Sequence, residues 1–347
     1  MSATPIPAVS KLPDMSSRFE SLRLNKPPKA LVLRGERDIT LCCLRIIFLV
    51  LTLSNEVVAS QNGDTVCRQQ FKTPNNCYRL YRPADPVRGL VVMLPYYGSD
   101  ANEFSSAALP GLLARKNVAT MVVSASGYLM DDDLVTLKDL IGEVVRELNI
   151  PAGSLVIGGI SAGGTGAVRY SEYCISGHCD ARSTPVAVFS VDAPLDFEGF
   201  WNRQKLNLQR GNPKSSLEES EAILDALRSA MGGSPNQVRQ VYRRRSPFVA
   251  SEKDGGNARL LKDVSIRLYT EPDVVWMIEN IGHDYYTVNA VDQAALILQL
   301  RALGNTKADL ITTTGKGFRP PGTRNPHSWT IVDEPELAGW IVKSLQP

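Results

Sequence analysis

The sequence has almost no excess charge of either sign. Its 347 residues include 38 lysines and arginines against 36 aspartates and glutamates, so the net charge is +2. Proteins that bind nucleic acid concentrate positive charge to meet the phosphates, and this chain lacks such an excess. The short cluster 243–245 of three arginines is typical of a solvated helix end rather than a binding patch. We therefore expect no nucleic-acid partner.

Motifs that hold metals and nucleotides are also missing. The six cysteines include no C-x-x-C pair, and histidine occurs only three times. The glycines of segment 158–166 have neither the G-x-G-x-x-G spacing of a dinucleotide loop nor the Gly-Lys-Ser/Thr of a phosphate loop. We therefore expect no metal ion and no organic cofactor.

Long apolar runs are absent as well. The candidate segment, Ile46 to Leu53, is too short for an ordinary transmembrane helix. Arginines precede it and small residues follow it, which is typical of a secretory signal. We predict that residues 1–60 are a leader cleaved near Val57-Val58-Ala59, and that residues 61–347 form one domain of a secreted or periplasmic protein with no stable membrane span. A buried strand or an amphipathic anchor is the alternative for the apolar run.

Four cysteines lie outside this leader, in two pairs that are close in sequence. Disulfides form and persist in oxidising compartments, so the cysteines agree with export. The competing role is metal binding, for which His178 is the one nearby histidine. We predict the disulfides Cys67–Cys77 and Cys174–Cys179.

Apolar strands alternate with amphipathic helices along the rest of the chain. This order is typical of an α/β fold with a mostly parallel central sheet covered by helices on both faces. The predicted strands are 77–82, 89–94, 118–124, 155–157, 185–191, 264–270 and 308–314, and the predicted helices are 103–116, 134–148, 290–303 and 334–345.

One segment, 197–257, contains no good strand and interrupts this alternation. Its apolar spacing predicts helices at 217–231 and 236–244, so we expect a helical insertion after the strand that ends at 191. Such an insertion could cover a site like a cap, with Phe200 and Trp201 in its lining. The alternative is that these aromatic residues only pack the insertion on the sheet.

Gly159-Ile160-Ser161-Ala162-Gly163 follows a buried strand and precedes a helix. A serine hydroxyl is a weak nucleophile and must be presented to a base and a substrate together, which a sharp strand-to-helix turn achieves. The residues two before and two after the serine then crowd each other and must be small, as Gly159 and Gly163 are. Ser161 is therefore a candidate nucleophile, and the alternative is a tight turn whose serine only caps the helix.

A nucleophilic serine needs a base, and histidine suits neutral pH. His178 lies in the proposed disulfide loop, and His283 lies beside Asp284 between helical segments, where we expect a surface pair. His327 follows the last strand, and active sites of open α/β sheets gather at the carboxyl ends of their strands. His327 is therefore the favoured base.

The third group of such a site is an acid that orients the imidazole. We favour Asp273, because Pro272 turns the chain just past the strand 264–270. Glu271 is the second choice and Asp192, directly after the strand 185–191, is the third. An acidic residue after a strand is often only a helix cap, which is the competing role for Asp273.

Backbone amides complete the candidate site. An oxyanion hole needs N–H groups from the residue after the nucleophile and from the loop after the strand 89–94. The candidate donors are Ala162 and Tyr97, with the amide of Tyr96 as the alternative to Tyr97. The side chains of Tyr96 and Trp201 are candidates for substrate binding.

The serine turn, the acid after a late strand and the terminal histidine together resemble the α/β-hydrolase superfamily, in its exported serine esterase and peptidase-like branch. The resemblance covers about 80–347 and implies a sheet of about eight strands and hydrolysis of a small-molecule ester or amide through an acyl-enzyme. Pro95-Tyr96 stands where the family usually has His-Gly. The alternatives are a non-catalytic binding protein on the same fold and an acyltransferase that uses the same triad.

Overall fold

We describe the fold from a computed structural model of the chain. The structure describes residues 63–68, 77–84, 86–124, 127, 130–211 and 213–345. The predicted leader 1–60, with its apolar run and cleavage site, lies outside these residues.

An eight-stranded, mostly parallel sheet forms the centre of the domain, as the alternation of strands and helices predicts. The strands are β1 Asp64–Cys67, β2 Cys77–Tyr81, β3 Gly89–Leu94, β4 Val118–Val123, β5 Leu155–Ile160, β6 Ala187–Val191, β7 Ser265–Thr270 and β8 Ala308–Thr312. Their order in the sheet is β1-β2-β4-β3-β5-β6-β7-β8, in which β1 and β2 are antiparallel to their neighbours and the other pairs are parallel. Strands β3, β4, β5 and β6 are buried along their whole length, which explains their continuous apolar sequences.

Helices cover both faces of this sheet. They are α1 Leu109–Ala114, α2 Asp131–Glu147, α3 Ala162–Tyr173, α8 Ala290–Ala302 and α9 Glu334–Ser344. The apolar sides of α2, α3 and α8 pack on one face, and those of α1 and α9 pack on the other. Two hydrophobic cores result, one on each side of the strands.

The predicted helical insertion follows β6. It has three helices, α4 Phe197–Arg210, α5 Lys214–Met231 and α6 Pro235–Arg245, which pack around a small core of their own. Trp201 and Tyr242 meet edge to face in that core, with ring centroids 6.1 Å apart. A further short helix, α7 Val274–Ile281, lies between β7 and α8, and a two-stranded hairpin of β9 Phe318–Arg319 and β10 Thr323–Arg324 follows β8.

The first helix is shorter than the predicted 103–116. Turns occupy residues 101–106, and the helix begins only at Leu109 with Pro110 in its first turn. Proline lacks the N–H that a helix interior needs, but it fits the first turn, whose N–H groups have no acceptor within the helix. The proline therefore sets the start of α1.

Both predicted disulfides are confirmed. Cys67 and Cys77 pair across β1 and β2, and Cys174 bonds Cys179 around one turn of π-helix at 174–178. The strand β1 was not predicted, because its four residues pair only at the edge of the sheet. In the part of the chain described here, no helix has the length and hydropathy of a transmembrane segment.

Candidate active site

Ser161 lies at the turn between β5 and α3, in a backbone conformation that non-glycine residues rarely adopt. Its φ is 56° and its ψ is −124°. The turn is held from both sides, because the Ser161 N–H donates to the Val191 carbonyl at 2.9 Å and Thr165 N donates to the Ser161 carbonyl at 3.0 Å. Strain of this kind persists only where surrounding contacts maintain it, and it is typical of functional sites.

The small residues around Ser161 are required by close approach of the backbone. A Cβ on Gly159 would lie 2.3 Å from the Leu94 carbonyl oxygen and 2.6 Å from the carbonyl carbon of Gly163. A Cβ on Gly163 would lie 2.0 Å from the same Leu94 oxygen. The predicted crowding of the two glycines is therefore confirmed, and the end of β3 adds to it.

His327 is paired with a carboxylate. Its Nδ1 lies 2.6 Å from Asp192 Oδ2, and the Asp192 side chain is only 9% exposed. An ionised carboxylate can only accept a hydrogen bond, so Nδ1 carries the proton of the neutral ring and Nε2 is left as the acceptor. The ring lines the same cavity as Ser161. The structure thus brings the predicted serine and the predicted histidine to one cavity.

The acid beside His327 is Asp192, the third choice of the sequence analysis, and not Asp273. Asp273 caps α7 by accepting from Trp276 N at 3.2 Å, and its other oxygen accepts from Arg324 at 2.7 Å. The alternative role of a helix cap therefore holds for Asp273. The preference was wrong because the end of β6, not that of β7, faces His327.

Glu271, the second choice, is also engaged elsewhere. The residue is 2% exposed, and its carboxylate accepts from Thr313 Oγ1 at 2.8 Å, from the backbone N–H of Lys316 at 3.0 Å, and from Arg324. Burial alone raises the pKa of Glu271, but the hydrogen bonds from Thr313, Lys316 and Arg324 outweigh it, and the pKa is lowered below its usual value. This carboxylate secures the loop that leads to His327.

The backbone of Asp192 is held by the first turn of α8. Its φ is +42°, a conformation that aspartate tolerates better than most residues. Asn289 Nδ2 donates to the Asp192 carbonyl at 2.9 Å, and Gln293, with its amide turned so that each atom has a partner, accepts from Asp192 N at 3.0 Å. Asp292 accepts from Leu195 N at 3.1 Å and forms a buried ion pair with Arg203. Sequence reasoning missed this support, because its residues are remote along the chain.

The candidate oxyanion donors border the same cavity. Ala162 is the first residue of α3, so its N–H has no acceptor within the helix. Tyr96 and Tyr97 follow β3 and line the cavity together with Ser161 and Ala162. The Tyr97 side chain is 66% exposed. The sequence-predicted loop therefore lies beside the nucleophile turn.

Tyr96 contacts the histidine directly. Its ring meets the His327 ring edge on, with centroids 5.7 Å apart, and the Arg319 guanidinium lies over its other side at 5.4 Å. Burial raises the pKa of Tyr96 to about 12, although Arg319 opposes the shift, so the phenol is neutral. Arg319 also donates to the His327 carbonyl at 2.7 Å. Tyr96 thus packs against the imidazole and lines the cavity that Ser161 also lines.

Phe200, and not Trp201, reaches the cavity from the helical insertion. Trp201 is 6% exposed and packs in the core of the insertion against Tyr242, so the prediction of a substrate contact for Trp201 is not supported. Phe200 lies one residue earlier on α4 and lines the cavity with Ser161. Consecutive helix residues point about 100° apart, and the packing of α4 decides which of the two faces the site.

Within the described ranges, the His, Cys, Asp and Glu side chains form no group of three that could hold a metal ion. What the site offers is a serine, an imidazole with a carboxylate behind it and a helix N-terminus. These groups are suited to nucleophilic attack on a carbonyl carbon.

No family model matches the chain, and no curated protein sequence matches it. Solved structures do. MPT51 of Mycobacterium tuberculosis is similar with a TM-score of 0.52 at 14% identity, over 79% of this chain and 96% of that one. Carboxyl esterase 2 of the fungus Tuber melanosporum is similar with a TM-score of 0.53 at 13% identity, over 84% of this chain and 90% of that one. Esterase 2 of Thermogutta terrifontis, phosphoramylated by tabun, is similar with a TM-score of 0.51 at 14% identity, over 82% of this chain and 97% of that one.

Proposed function

We propose that this chain, which has the α/β-hydrolase fold, is a serine hydrolase that cleaves a carboxylic ester or amide through an acyl-enzyme. The observation that carries the proposal is the contact of His327 Nδ1 with Asp192 at the cavity that Ser161 also lines. Esterases and peptidases are found among the structures of similar fold. A binding protein without catalysis would not need a buried carboxylate behind the imidazole.

The proposed reaction uses three side chains and two amides. Ser161 Oγ attacks the carbonyl carbon while His327 Nε2 takes its proton, and Asp192 stabilises the imidazolium that forms. The N–H groups of Ala162 and Tyr97 bind the oxyanion. The carbon–oxygen or carbon–nitrogen bond then breaks, and His327 returns the proton to the leaving atom. Water, deprotonated by the same histidine, releases the acid and restores Ser161.

The proposal includes export from the cytoplasm. Two disulfides in the described residues favour an oxidising compartment. The signal-like segment before residue 61 supports the same location. The enzyme would therefore meet substrates that are outside the cell or in the periplasm.

A fluorophosphonate probe tests the nucleophile. The wild type should lose its hydrolysis of p-nitrophenyl butyrate as the probe labels it, and peptide mapping should place the label on Ser161. The variant Ser161→Ala should be neither labelled nor active, whereas Ser176→Ala, an exposed serine beside His178, should behave as the wild type. Label on another residue, or a wild type that is folded yet neither labelled nor active, would contradict the proposal.

A further inference from the structure

Two cavities of different character meet at the proposed nucleophile. The larger has a volume of about 470 Å³ and the smaller about 240 Å³. Ser161, His327, Phe200 and Glu219 belong to the walls of both. A bound ester therefore has one space available on each side of its carbonyl carbon.

The larger cavity, which we call the acyl lobe, is apolar. Helices α4 and α5 supply most of its wall, and the proposed oxyanion donors Ala162 and Tyr97 also border it. The carbonyl oxygen must face those donors, and the apolar wall beside them suits the acyl chain attached to the same carbon. The residues that make it apolar are Phe197, Phe200, Ala222, Ile223, Ala226 and Leu227.

The smaller cavity, which we call the polar lobe, is lined by hydrogen-bonding side chains that the acyl lobe lacks. They include Gln204, His283, Asn289 and Asn325, and they lie beside the apolar side chains of Trp276, Met277, Ile281 and Val288. Asp192 borders this lobe, and neither Ala162 nor Tyr97 does. His327 borders both lobes and can give its proton to a leaving oxygen in either, so the alcohol part of an ester takes the lobe that the acyl chain leaves open.

His283 is one of the polar groups in this lobe that the proposed mechanism does not use. Its Nε2 lies 2.8 Å from Ser216 Oγ, and its pKa is lowered by burial, against which Glu219 and Asp284 act only partly. The ring is therefore neutral at pH 7, and its Nε2 is engaged with Ser216. Among the described residues no hydrogen bond to Nδ1 is found, so Nδ1 is left for a ligand hydroxyl. The expected surface pair with Asp284 is replaced by this contact, since Asp284 pairs with Arg210.

A second polar group in the lobe has a fixed orientation. Gln204 is 4% exposed, and its Oε1 accepts from Ser220 Oγ at 2.9 Å. Its amide N–H groups are thereby left as donors. Polar side chains held in this way favour a partner that brings hydroxyl groups, because an apolar partner would leave them without hydrogen bonds.

We propose that the polar lobe binds a hydroxyl-bearing alcohol, a polyol or a single sugar ring, and that His283 is a specificity-determining residue for it. The substrate is then the ester of such an alcohol with an apolar acid whose chain occupies the acyl lobe. This inference rests on the proposed function, since it concerns the same Ser161 and His327.

A matched pair of esters tests it. Glycerol 1-monobutyrate and propyl butyrate share the acyl chain and the three-carbon alcohol, and they differ only in two hydroxyl groups. The value of kcat/KM is measured for each by acid release and divided by the rate of hydrolysis of that ester by hydroxide. For the wild type, the corrected ratio should favour the glycerol ester by about tenfold or more.

Variants separate His283 from the rest of the site. His283→Phe keeps a ring but removes the hydrogen bonds, and it should lower the corrected ratio about tenfold. Ser216→Ala, which keeps the ring and frees its orientation, should lower the ratio less. His178→Phe is the matched control, because His178 stacks on Tyr173 outside the site, and its ratio should equal that of the wild type.

The outcomes distinguish the inference from the proposed function. Equal corrected values for the two esters, or an unchanged ratio in His283→Phe, would overturn the inference while labelling of Ser161 still supported a hydrolase. If neither ester is cleaved and Ser161 is not labelled, the proposed function fails and the inference fails with it. A corrected ratio that falls about tenfold in His283→Phe and is unchanged in His178→Phe would support the inference.

Discussion

At the scale of single residues, two strained positions lie at the centre of the site. Ser161 and Asp192 both have positive φ, and they follow neighbouring strands of the sheet, β5 and β6. Each lies directly after the last residue of its strand, where the chain leaves the sheet. The strain is maintained by hydrogen bonds such as that from Ser161 N to Val191 O.

The identity of the acid can be tested by comparing two aspartates. Asp192→Asn should lower kcat for p-nitrophenyl butyrate by about 10³- to 10⁴-fold, because an amide neither stabilises the imidazolium nor selects the required tautomer. Asp273→Asn should keep kcat within about threefold, since Asp273 contacts Arg324 and the start of α7 instead. Steady-state kinetics of both purified variants is the measurement. A larger loss in Asp273→Asn than in Asp192→Asn would restore the acid that the sequence favoured.

At the scale of elements, the hairpin β9–β10 and its flanking loop carry His327. Arg324, in β10, donates to Glu271 at the end of β7 and to the Gly317 carbonyl at 2.6 Å. Glu271 accepts in turn from the backbone of Lys316. The long loop is therefore held by one buried carboxylate, although it contains two glycines and two prolines between residues 317 and 322.

This arrangement predicts a pH-dependent contribution to stability. The folded-state pKa of Glu271 lies below its usual value of about 4.3. The stabilisation is therefore complete at neutral pH and is lost as the pH falls through the folded-state pKa. Glu271→Gln should lower the free energy of unfolding by about 3 kcal/mol at pH 7, because it leaves Arg324 without its buried partner.

Urea unfolding between pH 7 and pH 3 checks this expectation. The difference between the wild type and Glu271→Gln should shrink as the pH is lowered. The control is Glu218→Gln, in an exposed ion pair with Lys214 whose loss should cost less than about 0.5 kcal/mol at each pH. A difference that stays constant down to pH 3 would contradict a depressed pKa for Glu271.

At the scale of the whole domain, the sheet brings the ends of β3, β5, β6 and β8 to one edge, and the helical insertion forms part of the cavity wall there. Helices α4 and α5 supply Phe197, Phe200 and Leu227 to the cavity that contains Ser161. The two disulfides lie elsewhere, at the β1 edge of the sheet and after α3. They cross-link the periphery of the domain, and the loops of the proposed active site are held by hydrogen bonds instead.

Export and oxidation can be tested on the full-length chain. Expressed in a host that recognises its signal, the protein should be recovered outside the cytoplasm with an N-terminus near residue 60. It should react with iodoacetamide only after reduction, and then at the four cysteines of the two disulfides. After reduction, the double variant Cys174→Ser, Cys179→Ser should react at two cysteines only. A protein that begins at Met1, or one alkylated without reductant, would refute the export hypothesis.

The sequence by itself determined the features that local chemistry dictates. The apolar strands, the cysteine pairs, the turn at Ser161 and the histidine after the last strand could all be read from neighbouring residues, because buried strands, short loops and crowded turns restrict which residues fit. The turn at Ser161 was recognisable from Gly159, Gly163 and the strand and helix that flank them, and the structure shows the backbone contacts that exclude any larger residue at the two glycines.

Only the tertiary structure decided which acid meets His327 and which aromatic residue lines the cavity. Asp192 and Asp273 both follow a strand of the same sheet, and Phe200 and Trp201 are neighbours on one helix. The choice between them depends on side-chain direction, which is set by the positive φ of Asp192, the contacts of α8 and the packing of α4. These are contacts between residues far apart in the chain, and sequence spacing does not contain them.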